Sequence, residues 1–463
     1  MDTTTVTEYQ EAVSRLETFM NFERNPAALS SAGFGTERMS NLMRRIGSPH
    51  LTMPVVHIAG TKGKGSTAHM VAAALSAAKM RVGLYTSPHV DNLRERILLG
   101  RRLIGERQFV LAAKTVLKAA EDMRAAGHEP SYFEALTAIA FQSFHAAGME
   151  ALVVETGLGG RLDATNLPGL PVVAVGITAI SRDHEDILGS DLASIAAEKA
   201  GIIRKNVPVA SAVNEPSALG VIMTRTSELD APLFRIGRDV TWRSRKGGSA
   251  IDRPERGQRL DFETWRAIYP DISMPLLGEH QIENAALALA LIELFAEGSR
   301  RGPLDVRALK NGWRTMNIPA RFEVLSNRPW VVVDGGHNPA AAWAAAETMR
   351  RNFSTRKRVL VFGAAADKDV RTMLRVLAPL FGTIVAAPYD SPRACPPMEI
   401  KAILDAQDYQ GGVLIAESPK AALEAARERV PEDGLILAFG SFYLAGEIRA
   451  LASRRAANTA LIV

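Results

Sequence analysis

The sequence predicts two α/β domains: a larger, doubly wound, mostly parallel sheet with a small β excursion, then a smaller sheet of the same class. Three observations predict it. Short aliphatic and β-branched runs alternate with longer Ala- and Leu-rich stretches through most of the 463 residues, as in parallel strands joined by helices on both faces. The alternation breaks once, over a charged stretch at 233–274, and then resumes. Apolar residues make up 47% and charged residues 23% of the chain, enough to fill more than one buried core.

The elements follow in order. The segment up to Arg45 reads as helical, with Leu16, Met20 and Phe22, then Met39, Leu42 and Met43, at helix-like spacings. Strands are expected at 55–59, 82–85, 151–155 and 172–178, with helices at 66–78, 106–126 and 133–147 between them. The 233–274 stretch, with Gly247, Gly248, Pro254 and Pro270, is expected to leave the main sheet as a small antiparallel patch. Helical pattern returns at 280–297, and a second strand series is expected at 330–333, 359–362, 383–387, 413–416 and 435–439. A boundary within 298–303 divides the chain into domains 1–298 and 299–463.

Composition narrows the function. The net charge is +5, from 55 basic against 50 acidic residues. The basic residues are scattered, without the stripe that nucleic-acid binding wants, so no nucleic-acid partner is expected. No apolar run is long enough to span a bilayer, so no membrane partner is expected. The first twenty residues carry Asp2, Glu8, Glu11 and Glu17, which is no secretion signal. Cys395 is the only cysteine, which excludes an intramolecular disulfide and argues against a thiolate metal cluster. A cytoplasmic monomer is expected.

The strongest local signal follows the first strand. Gly60-Thr61-Lys62-Gly63-Lys64-Gly65-Ser66-Thr67 leads directly into a helix. Strand, glycine-rich turn and helix N-terminus make an anion cradle, because backbone N–H groups and the helix dipole both favour phosphate. Lys64 is placed to reach the β- and γ-phosphates, and Ser66 or Thr67 to offer a hydroxyl to phosphate or Mg²⁺. Downstream, Gly157-Leu158-Gly159-Gly160 invites a dinucleotide reading, but Leu162 stands where the third glycine belongs, so hydride transfer is the weaker interpretation.

Several blocks match, in order, those of the Mur ligase superfamily, and of its folate branch in particular. They are the phosphate loop; Thr86-Ser87-Pro88-His89 with Arg94-Glu95-Arg96-Ile97; Ser131-Tyr132-Phe133-Glu134; and Glu155 to Asn166. Asp183-His184, Glu198-Lys199-Ala200-Gly201, His280-Gln281-Ile282-Glu283-Asn284-Ala285, Arg321-Phe322-Glu323, Asp334 to Pro339 and Gly440 to Leu444 complete them. Two departures stand out: Lys62 replaces the usual Asn, and Ala320 replaces the usual Gly before Arg321.

The resemblance implies a P-loop domain and a smaller Rossmann-like domain. It implies ATP-dependent ligation of L-glutamate to dihydropteroate, to the glutamate tail of a reduced folate, or to both, through an acyl phosphate. Arg161 and Ala164 lean towards both. ATP would be held by Gly60 to Ser66, Asn284, Arg321 and Asp334. Two Mg²⁺ ions are implied, one on Ser87 and Glu155 and the second helped by His184. Lys199 is a candidate for carbamylation by CO₂, and K⁺ a candidate further ion. Lys64, Glu155, His184 and Lys199 would form the catalytic set. Ser131, Tyr132, Phe133, Glu134, Leu162, Asp163 and Ala164 would border the pterin, with Asp163 accepting ring N–H donors. The alternatives are a related ligase acting on another carboxylate and a nucleotide-binding switch without catalysis.

Overall fold

The computed structural model describes residues 3–22, 35–182, 189, 191–245 and 257–460. The first domain is built on an eight-stranded sheet in the order β4-β3-β2-β5-β1-β6-β7-β8. Here β1 is Val55–Ala59, β2 Val82–Tyr85, β3 Ile97–Leu99 and β4 Arg102–Leu103. The others are β5 Ala151–Glu155, β6 Val172–Ile177, β7 Val209–Ser211 and β8 Leu233–Arg235. Pairs from β2 to β8 are parallel, and β3 and β4 add antiparallel pairs at one edge. The chain leaves β1 towards β2 on one side and reaches β6 on the other, so the carboxyl end of β1 is a topological switch point, where open α/β sheets bind ligands.

Both faces of the sheet are covered, which is why its strands read as unbroken apolar runs. On one face pack α1 (Thr3–Glu17), α2 (Glu37–Arg45), α4 (Glu106–Ala125), α5 (Tyr132–Ala146), α6 (Leu192–Ala200) and α7 (Pro216–Glu228). On the other lie α3 (Lys64–Ala77), α8 (Glu279–Gly298) and α9 (Val306–Arg314). Helix α1 ends at Glu17, so Phe19 enters the core while Met20, expected inside, is 48% exposed.

The predicted excursion is present but starts later. β8 belongs to the main sheet, and the antiparallel patch is β9 (Thr241–Ser244), β10 (Gln258–Glu263) and β11 (Ile268–Met274). It folds back onto α9, where Phe262 meets Trp313 edge-on at 6.1 Å. That packing also corrects the domain boundary. Leu309, Trp313, Met316 and Ile318 lie in the first domain's core, and Trp313 Nε1 donates to Met70 O of α3 at 2.9 Å. The change-over therefore falls at Pro319–Ala320, not within 298–303. The second domain is a six-stranded sheet in the order β12-β13-β17-β14-β15-β16, formed by β12 Glu323–Asn327, β13 Trp330–Asp334, β14 Arg358–Phe362, β15 Thr383–Ala386, β16 Gly412–Ile415 and β17 Leu435–Phe439. All its pairs are parallel except β12 with β13.

Candidate active site

The glycine-rich loop leaves β1 at the switch point and is tied down from one side. Thr61 N and Lys62 N both donate to Ala179 O, at 3.0 and 3.3 Å, and Thr61 Oγ1 donates to Ser181 O at 3.1 Å. Two positions need glycine. Gly60 has φ +144° and Gly63 φ +88°; a Cβ would overlap Thr178 Oγ1 at the first and Asn284 Oδ1 at the second. Helix α3 starts at Lys64, and its first intrahelical acceptor serves Thr67, whose N–H reaches Gly63 O at 2.9 Å. The N–H groups of Lys64, Gly65 and Ser66 are left for an anion. Lys64 Nζ donates to Gly60 O at 3.1 Å, and Lys199 Nζ, from α6, donates to the same oxygen at 2.9 Å. Lys199 is only 3% exposed.

Glu155 closes β5, the strand beside β1, and its carboxylate stands in the same place. Its Oε2 accepts from Ser87 N at 3.1 Å. A Cβ on Gly65 would stand 3.3 Å from Glu155 Oε2 and 3.8 Å from Nη2 of Arg321, which arrives from the second domain. Burial pushes the Glu155 carboxyl above its ordinary range, opposed by Lys64, by the Ser87 N–H, and then by Arg321 and Arg96. Glu155 thus offers carboxylate oxygens beside a phosphate cradle, with Ser87 held next to it through its backbone N–H. This fits Mg²⁺, which takes one or two protein oxygens and fills its octahedron with phosphate and water. Among the described residues no group of three His, Cys, Asp or Glu side chains could hold a metal by itself. His184 lies outside the described residues.

The second domain brings Arg321 over the ring of Phe442, 4.7 Å from its centroid. Asp334, a candidate either to accept ribose hydroxyls or to support the arginine, engages the backbone beside Arg321. Its Oδ2 accepts from Phe322 N at 2.8 Å and its Oδ1 from Gly336 N at 2.7 Å, so it fixes the two turns that flank the arginine. Asn284 is buried against the phosphate loop and donates to Gln281 Oε1 at 3.1 Å.

Around the loop after Glu155 the expected substrate residues divide. Ser131 and Glu134 form a capping box: Ser131 Oγ accepts from Glu134 N at 3.2 Å and Glu134 Oε2 from Ser131 N at 2.7 Å. Both are occupied in starting α5. Tyr132 is buried against the Arg96 guanidinium, 6.0 Å from its ring centroid. Phe133 is half-buried and lies over Gly157. Leu162 is half-buried and Ala164 buried. Asp163, expected to face a ligand, holds its own loop: Oδ2 accepts from Leu158 N at 2.9 Å, and Oδ1 from Thr165 N at 2.9 Å and Thr165 Oγ1 at 2.5 Å. Burial pushes its carboxyl up, against those hydrogen bonds. The loop is also bound to α6, since Arg161 N donates to Glu198 O at 2.8 Å and its guanidinium pairs with Glu198 Oε1.

Two buried groups at this site were not singled out from sequence. Arg96 is almost wholly buried, with Nε donating to His89 Nδ1 at 2.9 Å. His69, on α3, is bonded to Gly65 O at 2.8 Å, and burial lowers its pKa to about 4, so it stays neutral beside Arg321. His69 lies in a stretch that reads as ordinary helix, and Arg96, although inside a matched block, has no role that the sequence assigns; their partners in the structure identify them.

Comparison with known proteins shows the family and the fold. Residues 58–292 match the Mur ligase middle domain and residues 320–442 the Mur ligase, glutamate ligase domain. The chain is 37% identical over 412 residues to the dihydrofolate synthase/folylpolyglutamate synthase of Mycobacterium tuberculosis, covering 85% of this chain and 82% of that protein. It is 32% identical to the enzyme of the same description from Bacillus subtilis, over 96% of this chain and 99% of that one. Among solved structures, Mycobacterium tuberculosis folylpolyglutamate synthase complexed with ADP superimposes with a TM-score of 0.85 at 32% identity, covering 97% and 99% of the two chains. The Escherichia coli protein in complex with DHPP and ADP gives a TM-score of 0.79 at 27% identity, covering 91% and 94%.

Proposed function

The chain belongs to the Mur ligase family, in the branch of the dihydrofolate and folylpolyglutamate synthases, and on that premise we propose that it joins L-glutamate both to dihydropteroate and to the glutamate tail of a reduced folate. It is an ATP-dependent amide-bond-forming ligase. One observation carries the assignment: the phosphate loop, Glu155 with Ser87 bonded to it, and Arg321 of the other domain converge on one point.

A carboxylate does not acylate an amine in water, because its oxygen leaves too poorly. Phosphoryl transfer from ATP gives an acyl phosphate, which the glutamate amine attacks to release phosphate. The N–H groups of Lys64, Gly65 and Ser66 bind the polyphosphate, and Lys64 swings from Gly60 O to neutralise the transferring group. Arg321 adds a second positive charge when the domains close on nucleotide. Glu155 and Ser87 would hold Mg²⁺, which supplies charge neutralisation between the phosphates. Phe133 and Leu162 border the pterin, with the loop of Asp163 and Ala164 shaping the wall and Ser131, Tyr132 and Glu134 supporting it. Asn284 and Asp334 set the nucleotide's surroundings.

Lys199, buried on α6 with its Nζ beside the phosphate loop, is the candidate for carbamylation by CO₂. The carbamate and His184 would then serve a second Mg²⁺. A K⁺ ion, a monomeric state, no nucleic-acid partner and a cytoplasmic location complete the reading. Among the described residues no helix is long and apolar enough to cross a membrane.

The test offers dihydropteroate or tetrahydrofolate in separate tubes with ATP, Mg²⁺ and glutamate, and identifies products by mass. Both are expected to gain a glutamyl group, and Glu155→Gln to lose about 100-fold or more in kcat. ADP release indifferent to both acid and glutamate would put the nucleotide switch ahead. Intact mass of gently handled protein, with and without CO₂, decides the carbamate.

A further inference from the structure

The middle of β1 holds a polar side chain that the chemistry above does not use. His57 lies in the central strand, fully buried, on the face shared by Val55 and Ala59. Its Nε2 is 2.9 Å from Thr165 Oγ1, and that hydroxyl donates to Asp163 Oδ1 at 2.5 Å. Its Nδ1 is buried without a hydrogen bond among the described residues.

The chain of bonds fixes where the protons are. An ionised carboxylate only accepts, so the Thr165 hydroxyl points its hydrogen at Asp163. The same oxygen must then accept from His57, which places the imidazole proton on Nε2 and leaves Nδ1 bare. The reversed chain, with a protonated Asp163, would put the proton on Nδ1 and orphan a buried N–H donor. A buried orphan donor is rarer and costlier than an under-used acceptor. Asp163 also receives Leu158 N and Thr165 N, which favours its ionised form. Burial beside Arg204 keeps the ring neutral, lowering its pKa to about 3.

We propose that His57 is a positioning residue for substrate recognition: its Nε2–H, through the Thr165 hydroxyl, holds Asp163 and so sets the conformation of the 157–166 loop against Phe133. This rests on the reading of that loop as the pterin wall. Asp163 links Leu158 to Thr165 across the loop, so the bond from His57 anchors it to the rigid central strand. The phosphate loop begins only three residues after His57, at Gly60, yet it is held from the other side, by Ala179 and Ser181. Loss of His57 should therefore weaken the acid substrate and spare the nucleotide.

The experiment compares His57→Leu, His57→Asn and His57→Gln in steady-state kinetics. The amide nitrogen of Gln reaches the place of imidazole Nε2, whereas Asn stops short. His57→Leu and His57→Asn are expected to raise KM for dihydropteroate about tenfold, the worth of a hydrogen bond one step from a charge, with KM for ATP within about twofold. His57→Gln should restore KM to within about threefold of the parent. Thr165→Val should match His57→Leu, and the double variant should be no worse than either. A role in packing alone predicts that Leu outperforms Gln. That result, a parallel rise in KM for ATP, or unchanged kinetics throughout would overturn the proposal.

A second measurement needs neither substrate nor a stable variant. The ¹⁵N spectrum of the parent imidazole should show the His57 proton on Nε2, and a proton on Nδ1 would sink the idea. If no pteroate compound is ever glutamylated, the functional reading fails by itself. The tautomer, together with Leu158 and Thr165 amide shifts that move in His57→Leu but not in His57→Gln, still tests the anchor.

Discussion

A methyl group at position 320 shows how much one residue can report. Ala320 stands where the family's glycine is usual, and it adopts φ +52° while fully buried. For an L-residue the left-handed region costs about 1–2 kcal/mol. Replacing it with glycine relieves that strain but removes a buried methyl worth about 0.8 kcal/mol and loosens the unfolded chain by about 0.4–1 kcal/mol. The terms nearly cancel, so Ala320→Gly is expected to shift stability by less than about 1 kcal/mol. A β-branched side chain has no such offset. Ala320→Val should lose on the order of 2 kcal/mol and, because Arg321 follows directly, raise KM for ATP. Denaturant unfolding and nucleotide kinetics measure both; a fully stable Ala320→Val would show that the turn is not held left-handed.

Between elements, the β10–β11 hairpin is docked on α8 through one buried acid. Glu293 Oε1 accepts from Tyr269 OH at 2.7 Å and from Thr264 Oγ1 at 2.7 Å, while Oε2 is buried without a partner among the described residues. Burial pushes this carboxyl up, more than the two hydrogen bonds and the Arg266 charge pull it down. The folded state therefore disfavours the ionised form. That cost is present in full above the folded pKa, shrinks as pH falls below it, and is gone once the pH is under the ordinary glutamate range. Acidification from neutral pH should raise this contribution to stability, and Glu293→Gln should lack it. Comparing the melting temperature of parent and variant from neutral pH down to the ordinary glutamate range checks the sign. Glu293→Ala leaves the Tyr269 hydroxyl orphaned beside a cavity and should cost about 2–4 kcal/mol, more at acid than at neutral pH.

At the scale of the molecule, the placement of α9 decides where the domains divide. Trp313 fills the space between α3 and the antiparallel patch, and losing such a ring costs about 3–5 kcal/mol. A fragment of residues 1–318 is expected to unfold cooperatively and to bind ADP weakly without ligase turnover, since Arg321 is missing. A fragment ending at residue 298 should expose the apolar face of α3 and aggregate. Equal behaviour of the two fragments in thermal unfolding would return the boundary to 298–303.

Taken alone, the sequence determined the order and class of the central strands and the long helices, whose apolar runs mark burial on two faces, but not the short β3, β4, β7 and β12 or the helix α7. It also determined the phosphate loop, where strand, glycines, lysine and helix start are contiguous and the chemistry is local. It named Ser87, Glu155 and Arg321, which lie on three distant segments and stand near one another beside the phosphate loop in the structure. Tertiary structure alone decided which ring of Tyr132 and Phe133 is core and which faces the loop, since adjacent residues at a helix start share the same local pattern. It likewise turned Asp163 and Asp334 inward to hold turns, set α9 in the first domain, and put His57, Arg96 and His69 under the site. Each of these depends on burial and on partners far away in the chain, and a one-dimensional pattern carries no record of either.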